Sequence, residues 1–187
     1  MNARSRLSEV ILFFVTCGVL MSGCASSKGS ISSISVPSDV AKLASYNELV
    51  IHVAVKDGAT EQPKLIGEEA AERIKNHIIN GIKKDAPVRF REINPGMPGA
   101  HALLSKVLIT NYDEGNAFAR FMLAGLGQMH IDADVSLSDP AATEPLAKYE
   151  VTKTFAWGGL YGASKTLIDI EEGFAKAVVE AILRKLQ

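Results

Sequence analysis

Met129-His130-Ile131-Asp132-Ala133-Asp134-Val135-Ser136-Leu137-Ser138 alternates apolar and polar residues without an error. Successive side chains of a strand point to opposite faces, so this run predicts a β-strand with one face on a core and the other in water. Such a strand needs a neighbour to pair with and a second layer to cover it. Residues 146–157 supply the neighbour, with Tyr149, Val151 and Phe155 set against Glu150, Thr152 and Thr154. Asp139-Pro140, followed by Ala141-Ala142-Thr143-Glu144-Pro145, carries the turn chemistry between the two strands, and a hairpin is predicted.

Further strands and the covering layer are found outward from that hairpin. Residues 103–112 read as a strand, and residues 48–56, with Leu49-Val50-Ile51-His52-Val53-Ala54-Val55, read as another with both faces buried. Pro87 opens a short strand over 88–93, and Asn94-Pro95-Gly96-Met97-Pro98-Gly99 is a loop. Residues 68–84 form an amphipathic helix, with Ala71, Ile74, Ile78 and Ile82 at three- and four-residue spacing. Its charges, Glu68, Glu69 and Glu72 early and Lys83 and Lys84 late, complement the macrodipole. A last helix is expected to start at a capping box formed by Asp169 and Glu172 and to run to about Leu186. It turns Ile170, Phe174, Ala177, Val178, Ala181 and Ile182 inward. The order is β-α-β-β-β-β-α. The fold class is α+β: a two-layer sandwich in which a mostly antiparallel sheet of about five strands has two helices packed on one face.

The N-terminal region has a different logic. Arg4 and Arg6 precede an apolar run over 10–20, too short to span a bilayer, and Leu20-Met21-Ser22-Gly23-Cys24 closes it. This reads as a bacterial lipoprotein signal peptide over 1–23, with Cys24 acylated on sulfur and amine after cleavage. A diacylglycerol thioether plus an amide-linked chain exceeds what stable anchoring requires. Ala25 and Ser26 lack the aspartate of inner-membrane retention, so the expected location is the periplasmic side of the outer membrane. Cys17 leaves with the leader, which would make Cys24 the mature chain's sole cysteine and rule out disulfides and thiol chemistry. Residues 24–47, rich in serine, are read as a tether that holds the domain roughly 25 Å from the lipid. Ile31, Ile34 and Val36 are able to pack on the domain, which occupies 48–187. A formal net charge of −1 argues against nucleic-acid binding.

The stretch from Asp113 to Leu183 carries Gly115-Asn116, Arg120, Ala124-Gly125-Leu126-Gly127, the strand ending Leu137-Ser138-Asp139, and a glycine-rich turn before an alanine-rich helix. It resembles a family of small bacterial lipoproteins catalogued as domain of unknown function 4410. The family's aspartate-threonine-glycine turn stands here as Asp139-Pro140-Ala141-Ala142-Thr143-Glu144, without the glycine. The resemblance implies a membrane-anchored α/β domain and no particular activity.

Candidate chemistry is sparse. His130, Asp132 and Asp134 share one strand face and offer a nitrogen and two carboxylates to a metal. Neighbours on a strand face stand about 7 Å apart, so a solvated face is the preferred reading. Ser164-Lys165 are adjacent and poorly placed for a serine–lysine hydrolase, and no cofactor is expected. The apolar segment Phe118-Ala119-Arg120-Phe121-Met122-Leu123-Ala124-Gly125-Leu126-Gly127 either packs on the sheet or is exposed to bind something. With Trp157 and Tyr161 of the glycine-aromatic turn, Phe118, Arg120, Phe121, Met122, Leu123 and Leu126 form the candidate partner surface. The expected function is a non-enzymatic protein-interaction or envelope-assembly module, held at the membrane by its lipid, with a small-molecule or lipid carrier as the alternative. A carrier should enclose an apolar cavity between sheet and helices, whereas an interaction module should show an exposed apolar ridge over a filled core.

Overall fold

The computed structural model describes residues 29–35, 40–59, 64–97, 99–123 and 126–184. The leader and Cys24 lie outside the described residues. The elements are β1 (Ser30–Ser35), α1 (Val40–Ala44), β2 (Glu48–Val55), α2 (Lys64–Asp85), β3 (Glu92–Ile93), β4 (Ala102–Asp113), α3 (Ala117–Met122), β5 (Met129–Ser138), β6 (Ala147–Phe155), α4 (Gly159–Ala163) and α5 (Leu167–Leu183). The strands form one six-stranded sheet in the order β1-β6-β5-β4-β2-β3. It is antiparallel from β1 to β4 and parallel where β2 meets β4 and β3. The α+β sandwich holds, with six strands rather than five.

The alternation quoted above decides the layering. Met129, Ile131, Ala133, Val135 and Leu137 are buried, and their polar neighbours face the open side of the sheet. β6 repeats the pattern with Tyr149, Val151 and Phe155, in register with β5 from Met129↔Phe155 to Leu137↔Ala147. Helices α2 and α5 cover the apolar face and pack on each other. Ile74, Ile78 and Ile82 of α2 and Ile170, Phe174, Ala177 and Val178 of α5 are fully buried, as their spacing requires. Thr110 is an extra residue in β4, since Ile109 pairs with Ala133 and Asn111 with Asp132. This bulge shifts the alternation by one and turns Tyr112 inward, where an uninterrupted strand would present Asn111.

Several expectations are corrected. Only one face of β2 is buried: Leu49 and Ile51 lie in the core, whereas His52 and Ala54 are exposed. The sheet has a single helical layer, and β3 pairs only with Glu48 and Leu49, leaving the rest of β2 at an edge. The strand expected over 88–93 shrinks to Glu92–Ile93. Val88 is exposed, and the Arg89 guanidinium donates to the carbonyls of Tyr46 and Leu43 at 2.6 and 2.8 Å, holding a turn instead. The ordered domain begins before Glu48: Ser30–Ser35 pairs with β6 as an edge strand, and Leu43 and Tyr46 are core residues. Tyr46 also donates its hydroxyl to Asp139 at 2.8 Å, and burial first, then that carboxylate, pushes its pKa up to about 12.

The cap of α5 lies earlier than Asp169 and Glu172 suggested. Thr166 is the N-cap, and its backbone N–H and hydroxyl both donate to Asp169 Oδ2, at 2.8 and 2.9 Å. The Thr166 N–H is the main reason the Asp169 carboxyl sits below the usual carboxylate range. A depressed carboxyl contributes stability above its unfolded pKa, near 4, and loses it as pH falls through the lower folded value. Asp169→Ala is therefore expected to cost about 1 kcal/mol in urea unfolding at pH 7. That difference from wild type should fade once both are measured below the folded pKa of Asp169.

Candidate functional site

Met129 and Phe155 face each other at one end of the sheet, so the chain preceding β5 and the chain following β6 emerge side by side. These are α3 and α4, and they pack together beyond the sheet. α3 is capped by Asn116, whose Oδ1 accepts from the Ala119 N–H at 2.9 Å. The excursion leaves and rejoins the sheet through a two-glycine neck. Gly115 and Gly127 take φ of 61° and 67°, and a Cβ on either would strike backbone across the neck, the Gln128 carbonyl for Gly115 and the Asn116 carbonyl for Gly127. Only glycine combines left-handed φ with that approach.

The neck delivers an apolar surface to solvent. Phe118 is 73% exposed and Leu160 80%, and Phe121, Met122, Leu123, Leu126 and Tyr161 are also exposed. The candidate surface read from the sequence is therefore gathered at one place, with two differences. Trp157 is half-buried against the core and meets Tyr161 edge-on at 6.3 Å, and Leu160 joins the patch. Leu160 was missed because it lies among glycines without any period. Arg120 stands on α3 between Phe118 and Phe121, its side chain outside the described set.

The other candidates are dispersed. His130, Asp132 and Asp134 do share the open sheet face. His130 Nδ1 lies 3.1 Å from Thr154 Oγ1, Asp132 accepts from Asn111 Nδ2 at 3.0 Å, and no cluster able to hold a metal occurs among the described residues. Ser164 donates to the Tyr161 carbonyl at 2.9 Å, and Lys165 pairs with Asp169 at 3.5 Å, so neither is aimed at the other. A groove of about 470 Å³ opens between β2 and α2, flanked by Lys56, Asp57, Glu68, Glu72 and Lys75. Ile51, Val53, Val55 and Ala71 line it as well, so it is an open groove that joins an apolar wall to charged side chains.

A buried polar cluster was not anticipated. Glu171 of α5 is fully buried and receives Arg73 Nε and Nη2 of α2 at 3.1 and 2.9 Å, while the Tyr112 hydroxyl donates to it at 2.7 Å. Burial, then the hydrogen bond to Glu171, raises the Tyr112 pKa, so the phenol keeps its proton and donates. The signal was available: Glu171 falls between Ile170 and Phe174 on the inward stripe of α5. The cluster joins both helices to the sheet at the bulge, which makes it a structural tie.

The model of a family described as "Domain of unknown function (DUF4410)" matches residues 22–159. The match stops before most of α4 and all of α5. Among solved structures, the chain is similar to the PelC dodecamer from Paraburkholderia phytofirmans, with 16% identity, TM-score 0.48, and 83% of this chain and 96% of that chain covered. It is also similar to a proposed lipoprotein from Caulobacter crescentus CB15, with 16% identity, TM-score 0.38, and 79% and 90% coverage. A protein of the DUF330 family from Xanthomonas campestris aligns at 12% identity and TM-score 0.43, covering 75% and 81%. No curated protein matches the chain.

Proposed function

The chain belongs to the DUF4410 family, and from that premise we propose that it is a lipid-anchored lipoprotein on the periplasmic side of the outer membrane. It acts there as a non-enzymatic interaction or envelope-assembly module. The observation that carries this reading is the α3–α4 patch. Large apolar side chains are presented to solvent on a glycine neck. Water-exposed apolar surface is costly, and a fold that spends two helices on displaying it has a contact to make. Cys24 supplies the location. No helix among the described residues is long and apolar enough to cross a membrane, and the attachment in this reading is the acylated Cys24.

The reading is tested by the intact mass of the protein extracted from the membrane fraction. The expected mature chain starts at Cys24 and carries a thioether-linked diacylglycerol and an amide-linked acyl chain. A chain that retains residues 1–23, or starts elsewhere without lipid, would overturn it.

A further inference from the structure

We infer that the α3–α4 patch seats in the surface of the phospholipid bilayer to which Cys24 is anchored, giving the domain a second, apolar hold on the membrane. This rests on the lipoprotein reading above and deepens it by naming the partner of the patch. β1 runs antiparallel to β6 with Ser30 opposite Thr152, so the chain ahead of Ser30 is directed toward the sheet end where Phe155 leads to α4 and α3 leads to Met129. Gly29 is held there by its N–H, which donates to the Gly173 carbonyl at 3.0 Å.

Lengths then constrain the anchor. Thr152 is three residues short of Phe155, roughly 10 Å of strand. Cys24 precedes Gly29 by five residues, an extended reach of roughly 17 Å. Gly29 already stands within two residues of the level of Phe155, so a cysteine within that reach of Gly29 is tied to the sheet end that carries the patch. A lipid on Cys24 is thereby limited to that reach from Gly29, which bounds how far the headgroups stand from the patch-bearing end.

The side chains fit a bilayer interface. Phe118, Phe121, Met122, Leu126 and Leu160 are unbranched at Cβ and exposed, with Tyr161 beside them as an interfacial aromatic. Arg120 is the one basic residue within the run 118–127, Lys165 is paired with Asp169, and Asp113 and Glu114 stand at the neck. The seat is therefore apolar in character and should be nearly indifferent to salt, unlike a polybasic attachment.

The test uses the full lipidated chain in vesicles of phosphatidylethanolamine and phosphatidylglycerol. Acylation of Cys24 leaves no other thiol in the mature chain, so Leu126→Cys and, separately, Ile34→Cys each give one site for a nitroxide. Ile34 is exposed near the opposite end of β1. The nitroxide at 126 is expected to collide with oxygen in preference to a water-soluble nickel chelate, several-fold more so than the one at 34, at low and high salt alike. Adding Phe118→Asp and Leu160→Asp, both at exposed positions, should return the value at 126 to that at 34 while the lipid keeps the protein on the vesicle. Equal values at 126 and 34, with Cys24 lipidation verified by mass, would overturn the membrane seat and leave the lipoprotein reading standing. A discrete protein adduct from a photo-crosslinker at position 118 in cells would also overturn it, assigning the patch to a protein. Absence of lipid on Cys24 would overturn both.

Discussion

Arg73→Met is expected to destabilise the domain by about 3 kcal/mol, lowering the urea midpoint by about 1–2 M. Glu171 is fully buried, and its carboxylate is satisfied by a two-pronged contact from Arg73 and by the Tyr112 hydroxyl. Removing the guanidinium leaves a charge in an apolar interior with a single phenol as donor, which is why breaking such pairs costs more than the pair is worth. The figure lies at the lower end of the usual range because the Arg73 side chain is 33% exposed, and solvent already screens part of the attraction. The double variant Arg73→Met, Glu171→Leu should recover most of the loss, since no unpaired charge remains. If Arg73→Met alone shifts stability by less than about 0.5 kcal/mol, the cluster is not the tie described above.

The parts of the fold legible in the sequence are those where burial imposes a period. β5 and β6 alternate because one face meets α2 and α5, and the isoleucines of α2 recur because one stripe meets the sheet. β1 carried no such mark. It is an edge strand held by main-chain pairing to β6, and its serines leave Ile31 as the half-buried residue among exposed ones. α1 was hidden for a related reason: its anchoring comes from Leu43 and Tyr46 and from a distant arginine, Arg89, that accepts no local pattern. The patch was legible as composition and illegible as exposure. An aperiodic apolar run reads equally well as core, and the difference is made by Gly115 and Gly127, whose positive φ and close approach are tertiary facts. The glycines that carried the family resemblance thus have a mechanical role in setting where α3 stands.

Gly115→Ala is accordingly expected to cost about 2–5 kcal/mol and to remove the patch from its place. Left-handed backbone costs a residue with a Cβ about 1–2 kcal/mol. The new methyl would also lie against the Gln128 carbonyl, which is backbone and cannot turn aside, and overpacking of that kind adds about 1–3 kcal/mol. Relief requires the neck to open, moving Asn116 and the helix it caps away from α4. Gly96→Ala serves as the control: a Cβ there meets nothing within 4 Å and its φ is not positive, so its effect should stay within about 0.5 kcal/mol. Urea unfolding compares the two, and hydrogen exchange over 117–123 locates the change, since the Leu123 N–H bonded to Ala119 at 2.8 Å should lose protection only in Gly115→Ala. Equal stability and equal exchange in both variants would mean that the neck tolerates a side chain, and the patch would then have to be positioned by contacts between α3 and α4 alone.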